Sequence, residues 1–123
     1  MTRDYDDTNI FARILRGEIP CDKVFEDEHV LAFKDIQPRA PVHVLVIPKG
    51  RYRSFADFSA NASEDEVVAL IRAAGRIAKE MGVEDPGYRL LSNVGDDGGQ
   101  EVPHLHFHIF GGRALGAMLP SAD

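Results

Sequence analysis

Cysteine is almost missing from this chain. A single one, Cys21, stands among 123 residues, which excludes an internal disulfide and any multi-cysteine zinc site. Cys21 is expected as a small, buried strand residue. Positive charge is also scarce: 14 Lys and Arg face 20 Asp and Glu, for a net charge of −6. A nucleic-acid surface needs a basic footprint, so that partner class is excluded, although a small nucleotide can still be bound locally. No stretch approaches the roughly 20 apolar residues of a membrane span. Met1 to Thr8 is polar and acidic, without the basic and apolar regions of a secretory leader, so a cytoplasmic protein with no membrane contact is expected. Internal repeats, linkers and low-complexity segments are lacking too. What remains is a hydrophobic content of 44% and a charged content of 28%, ordinary values for one globular domain over residues 1–123. Residues 1–7 are expected as a frayed lead and 114–123 as a C-terminal tail.

Asp7 or Thr8 can cap a short helix carrying Ile10, Phe11, Ile14 and Leu15, which Gly17 would end. Pro20 breaks the chain before a strand over Cys21 to Glu26. Asp27-Glu28 then turns it into a second strand, His29 to Phe33, with His29 a solvated turn residue. Asp35 follows as either a turn acid or a functional one. Two prolines keep Gln37 to Pro41 out of regular structure. Val42 to Ile47 reads as a buried strand interrupted by His43, and a lone histidine in such a strand is more often a hydrogen-bonded core residue than a catalyst. Arg51 to Ala62 reads as a loop with Phe55 and Phe58 tucked beneath it. Ser63-Glu64-Asp65-Glu66 is a capping box opening the longest helix, whose stripe is Val67, Leu70, Ile71, Ala74, Ile77, Ala78 and Met81, ended by Gly82. That stripe is core or dimer surface. Tyr88 to Asn93 forms a further strand, and Gly95 to Gln100 is a glycine-rich loop. The loop lacks Lys-Ser/Thr and opens no helix, so it is not a P-loop.

The chemistry concentrates in His104-Leu105-His106-Phe107-His108-Ile109-Phe110. Histidine alternates with large apolar residues, the period-two pattern of a strand with one polar and one buried face. Leu105, Phe107 and Ile109 would face the core and hold three imidazoles on a rigid element. A solvated strand face would more usually carry Lys, Glu and Thr. A metal pair is the sharper competitor, since His-x-His is a common ligand arrangement. However, His104 and His108 would lie on the order of 13 Å apart along a regular strand, so only two of the three could converge on one ion. A central nucleophile with two flanking helpers fits better. A neutral imidazole can attack phosphorus while a protonated neighbour stabilises the anion.

These residues resemble the signature of the histidine triad (HIT) superfamily. Ile10-Phe11, Gly17-Glu18-Ile19-Pro20, Ala32-Phe33-Lys34-Asp35-Ile36, Pro38-Arg39-Ala40-Pro41, His43, Asn93, Gly98-Gly99-Gln100 and Gly111-Gly112-Arg113 follow the order of its Hint branch. The resemblance implies an α+β, HIT-like fold: a roughly five-stranded antiparallel sheet with two helices, joined across a homodimer into one larger sheet. It implies a hydrolase or transferase acting on the α-phosphate of purine nucleoside 5′-phosphoramidates or acyl-adenylates through a nucleotidyl-histidine. His106 would be the nucleophile, His108 would contact the phosphoryl oxygens, and His104 with His43 would support it. Ile10, Phe11, Ile14, Phe33 and Ile36 would hold the base and Asp35 the ribose. Asn93, Gly99, Gln100, Glu101 and Val102 would complete the phosphate site. No cofactor or metal is required by such a scheme. The resemblance leaves room for a dinucleoside polyphosphate hydrolase, or for a nucleotide-binding scaffold whose catalysis is incidental. Two departures bear on substrate choice: Glu101 stands where many Hint members carry serine, and the tail has none of the tryptophan often found there.

Overall fold

The computed structural model describes residues 5–120; the remainder of the expected lead and tail, 1–4 and 121–123, lies outside the described residues. Eight elements follow one another: α1 (Ile10–Leu15), β1 (Lys23–Glu26), β2 (Val30–Lys34), β3 (Val42–Pro48), α2 (Phe55–Asn61), α3 (Glu64–Glu80), β4 (Tyr88–Leu91) and β5 (Phe107–Gly111). The strands form one antiparallel sheet in the order β1-β2-β3-β5-β4, which puts β5 beside β3. Register then decides the site: Leu45 pairs with His108 and His43 with Phe110, so these four side chains share a face.

Both faces of the sheet are covered. On one, Val44, Val46, Leu105, Phe107 and Ile109 pack against Leu70, Ala74, Ile77 and Ala78 of α3. On the other, Leu31, Phe33, Leu45 and Ile47 pack beneath Phe11 of α1. The histidine face is therefore not a solvated one. His104 is wholly buried and His106 almost so, because the short helix lies over them.

Several expectations need correction. There are three helices, not two, among the described residues. The segment read as a loop contains α2, started by Ser54, whose side chain accepts the Asp57 amide. Phe58 is buried as expected, but Phe55 is 44% exposed. Asn9, rather than Asp7 or Thr8, caps α1: its Oδ1 accepts from the Ala12 amide at 2.9 Å, while the Thr8 hydroxyl is occupied with Asp6. The buried stripe of α3 is Leu70, Ala73, Ala74, Ile77 and Ala78, with Val67 and Ile71 on the exposed side. The small Ala73 faces the sheet and lets the helix approach, which turns Ile71 outward.

β5 begins at Phe107, three residues later than the alternation suggests, because the His104 amide bonds to Val102 O and the Leu105 amide to Tyr52 O instead of joining the ladder. The in-out alternation nevertheless continues through Leu105. Gly111 ends the strand where a Cβ would come within 2.6 Å of Val83 Cγ1. The expected lead is anchored from Tyr5 onward rather than frayed there, through contacts described below. Among the described residues, no helix is long and apolar enough to cross a membrane.

Candidate active site

The histidine face opens into a cavity of about 380 Å³ between α1, β2 and the loop before β5. This is the size range of small-ligand pockets. Its apolar end is built by Ile10, Phe11 and Ile14 from α1 with Phe33 and Ile36 at the end of β2. Opposite stand the polar groups Asp35, His43, His106, His108, Asn93 and Glu101, with Gly99 and Val102 beside them. The expected site residues thus meet in one cavity, with two exceptions. His104 lies behind it, and the Gln100 side chain is turned into the loop, where its amide donates to Arg53 O and Val102 O and its Oε1 accepts from Gly95 N.

Hydrogen bonding assigns the ring protons of the four histidines at the site. A carbonyl oxygen can only accept, so the His104 nitrogen facing Pro48 O at 2.9 Å, Nε2, carries hydrogen, as does His106 Nδ1 facing His104 O at 2.8 Å. A backbone amide can only donate, so His43 Nδ1, which receives Arg39 N–H at 3.2 Å, is bare and His43 Nε2 is protonated. His43 Nε2 then donates to His108 Nδ1 at 3.0 Å, with Asp35 Oδ2 also 3.4 Å away. It follows that His108 presents Nε2–H and His106 presents a bare Nε2. Among the described residues these two nitrogens have no protein partner, yet no buried side-chain nitrogen or oxygen is unpaired. Both must therefore open onto the cavity. The site offers one lone pair and one N–H donor side by side, their rings 5.0 Å apart.

Burial sets the charge. Desolvation pushes His104 and His108 down to about 4 and lowers His106 and His43, the latter against the opposing pull of Asp35. The expected protonated neighbour is therefore not present in the free site: at pH 7 the donor beside His106 is a neutral N–H. Burial also raises the Cys21 thiol, which lines the cavity wall just ahead of β1 instead of lying in a strand.

Asp35, His43 and His108 bring three potential ligand atoms within 4.8 Å of one another. Ligation through His43 Nε2 would require its proton to move to Nδ1, the atom already held by the Arg39 amide. As arranged, the three groups hold a proton between them. The glycine-rich loop also differs from expectation in its donors. The Gly99 and Gln100 amides bond within the loop, to Asp96 O and Gly95 O, whereas among the described residues the Glu101 and Val102 amides donate to no protein acceptor. Gly98 permits that fold, since a Cβ there would meet Val94 O at 2.4 Å. Ile19, Pro20, Lys34, Gln37, Leu45 and Phe110 also line the cavity and were not anticipated as site residues. Phe110 was legible in principle, as the last same-face position of the histidine alternation. Leu45 needed the β3–β5 register.

An antiparallel sheet that sets a bare imidazole nitrogen, a neutral N–H donor and a carboxylate-backed imidazole in one cavity of small-ligand size belongs to the class of imidazole sites able to carry hydrolysis or group transfer. Comparison with known proteins agrees: the HIT domain family matches residues 16–115, and the chain belongs to that family. It is 60% identical over 119 residues to an uncharacterized 13.2 kDa HIT-like protein of Azospirillum brasilense, covering 97% of this chain and 98% of that one. It is 46% identical over 110 residues to the purine nucleoside phosphoramidase of Escherichia coli K12, covering 89% and 92%. Among solved structures, a HIT family hydrolase from Legionella pneumophila superposes with a TM-score of 0.81 at 43% identity, covering 89% of this chain and 96% of that one. A histidine triad protein from Clostridium difficile gives 0.79 at 44% identity over the whole of both chains.

Proposed function

We propose that the protein is a purine nucleoside phosphoramidase working through a covalent nucleotidyl-histidine. The observation that carries this reading is the His106 ring, whose Nδ1 proton is fixed on a backbone carbonyl so that the Nε2 lone pair faces the cavity. In the first step Nε2 forms a bond to the α-phosphorus and the bond from phosphorus to the substrate nitrogen breaks. The nitrogen departs as an amine with a proton from water, and the positive charge on His106 is met by His104 O. In the second step water attacks phosphorus, the phosphorus to Nε2 bond breaks, and the nucleoside monophosphate leaves.

The His108 Nε2–H, the Asn93 side chain and the Glu101 and Val102 amides supply donors for the phosphoryl oxygens. Asp35 accepts from the ribose hydroxyls, and Ile10, Phe11, Ile14, Phe33 and Ile36 sandwich the base. These fixed dipoles can carry the charge without a metal or other cofactor. A homodimer fits the same reading: β4 is an open sheet edge whose Tyr88 and Leu90 are exposed on the α3 side, and Val68 and Ile71 of that helix are exposed as well. A cytoplasmic location fits the same reading.

The test is AMP release from adenosine 5′-phosphoramidate by wild type and His106→Ala, each with and without EDTA, with mass spectrometry of acid-quenched protein. Turnover that survives chelation, disappears in the variant and leaves an adenylyl adduct on His106 is expected. Turnover lost on chelation, or preferred hydrolysis of diadenosine polyphosphates, would overturn it. Tight nucleotide binding without turnover would leave a binding protein.

A further inference from the structure

Tyr5 lies in the lead before α1, yet its hydroxyl reaches His104 Nδ1 at 2.5 Å. The direction of that bond follows from its neighbours. Asn9 Nδ2 donates to the Tyr5 oxygen at 3.0 Å, so the phenolic hydrogen is left to point at His104. His104 Nδ1 must accept, because His104 Nε2 already gives its hydrogen to Pro48 O. Burial raises the Tyr5 pKa, which keeps the phenol a donor across the physiological range. Tyr5 is held from three sides: Asn9 bonds its oxygen, the Arg51 guanidinium lies 5.2 Å from its ring centroid, and its ring meets the His104 ring edge-on. Arg51 is itself tied to Asp7 at 2.9 Å.

We propose that Tyr5 is a positioning residue that fixes the wholly buried His104 in its neutral Nε2–H tautomer and thereby orients the carbonyl that holds the His106 nucleophile. The role rests on the phosphoramidase reading above. Donors and acceptors run unbroken from Asn9 Nδ2 through the Tyr5 hydroxyl to His104 Nδ1, and from the His104 carbonyl to His106 Nδ1. His104 is the link between them, and among the described residues the Tyr5 hydroxyl is the partner of its Nδ1. Without the phenol, a buried bare nitrogen either rotates toward a new partner or takes up a proton. Rotation shifts the carbonyl on which His106 rests. Protonation puts a cation beside a ring that must itself become cationic once it carries the nucleotide. Either outcome slows formation of the covalent intermediate, while Phe33, Asp35 and Ile36, which come from β2 and the segment after it, stay in place.

The experiment uses the full chain with Tyr5→Phe, read in two ways. Long-range proton-nitrogen NMR of the free protein should show the His104 Nδ1 resonance moving downfield as it loses its donor. 3-Fluorotyrosine incorporated in place of Tyr5, a stronger donor, should move it upfield. Rapid-quench measurement should show nucleotidylation of His106 slowed about tenfold in Tyr5→Phe, the loss expected for one buried hydrogen bond, with the AMP Kd within about twofold. An unmoved His104 resonance in both proteins, or nucleotidylation at the wild-type rate, overturns the proposal. If wild type itself forms no nucleotidyl-His106, the phosphoramidase reading fails, and the NMR result still decides whether Tyr5 sets the His104 tautomer.

Discussion

Acid should destabilise this protein well before its carboxylates protonate. His104 and His108 are held neutral by burial, with pKa values of about 4 in the folded chain, whereas the unfolded chain restores the ordinary value near 6.5. Between those limits the unfolded state binds more protons, so stability is complete above about pH 6.5 and falls as pH drops toward 4. For one such imidazole, moving from pH 7 to pH 5 removes about 2 kcal/mol by linkage. Two would remove nearly twice that. Because His108 is partly open to the cavity, about 3 kcal/mol for the pair is the better figure. Ordinary carboxylates remain largely ionised at pH 5 and contribute little to this window. The assay is urea denaturation followed by circular dichroism at pH 7, 6 and 5, on wild type and on His108→Asn. The variant should show a shallower pH dependence, since one of the imidazoles held neutral by burial is gone. A folded stability that stays level, or rises, from pH 7 to 5 would refute the assignment of neutral buried imidazoles.

Phe11→Ala should cost about 3 kcal/mol in a urea melt, because Phe11 is buried and its ring lies 4.9 Å from that of His106. The same change admits water to His106, so the acid limb of kcat/KM should move up toward pH 6.5. Gln100→Ala releases the three hydrogen bonds that tie the glycine-rich loop to Arg53 and Val102 and within itself. KM for adenosine 5′-phosphoramidate should rise about tenfold with kcat little changed, as steady-state kinetics will show. Leu90→Lys places a charge on the open β4 edge; if the proposed homodimer pairs there, light scattering should give a dimer for wild type and a monomer for the variant, whose thermal unfolding should stay cooperative.

The strongest sequence signals were short-range. Ser63 and Glu66 form the capping box as read, since both partners lie within one helical turn. The alternation from His104 to Phe110 correctly separated core-facing Leu105, Phe107 and Ile109 from the histidines, because side-chain direction in extended backbone depends only on parity. The helix at Phe55 is not legible although Ser54 and Asp57 carry a capping signal, because about two turns of helix offer too little apolar periodicity to outweigh a loop-like composition. Helical spacing groups Val67 and Ile71 with Leu70 and Ile77 in one stripe, core or dimer surface, but does not say where the contact with the sheet is centred. The sheet chose Ala73.

By itself the sequence determined that three histidines share one side of an extended segment, that apolar residues anchor them from the other, and that the whole is a small acidic α+β domain matching a known family. Only the tertiary structure decided what each imidazole can do. Ring protons are placed by partners distant in the chain: Pro48 O for His104, the Arg39 amide for His43, and Tyr5, which lies 99 residues from His104. Charge state is a property of burial, and burial exists only once α1 has folded over the sheet. A pattern of residues can therefore announce a histidine site, while its tautomers, its pKa values and the choice of nucleophile wait on the packing that removes water from it.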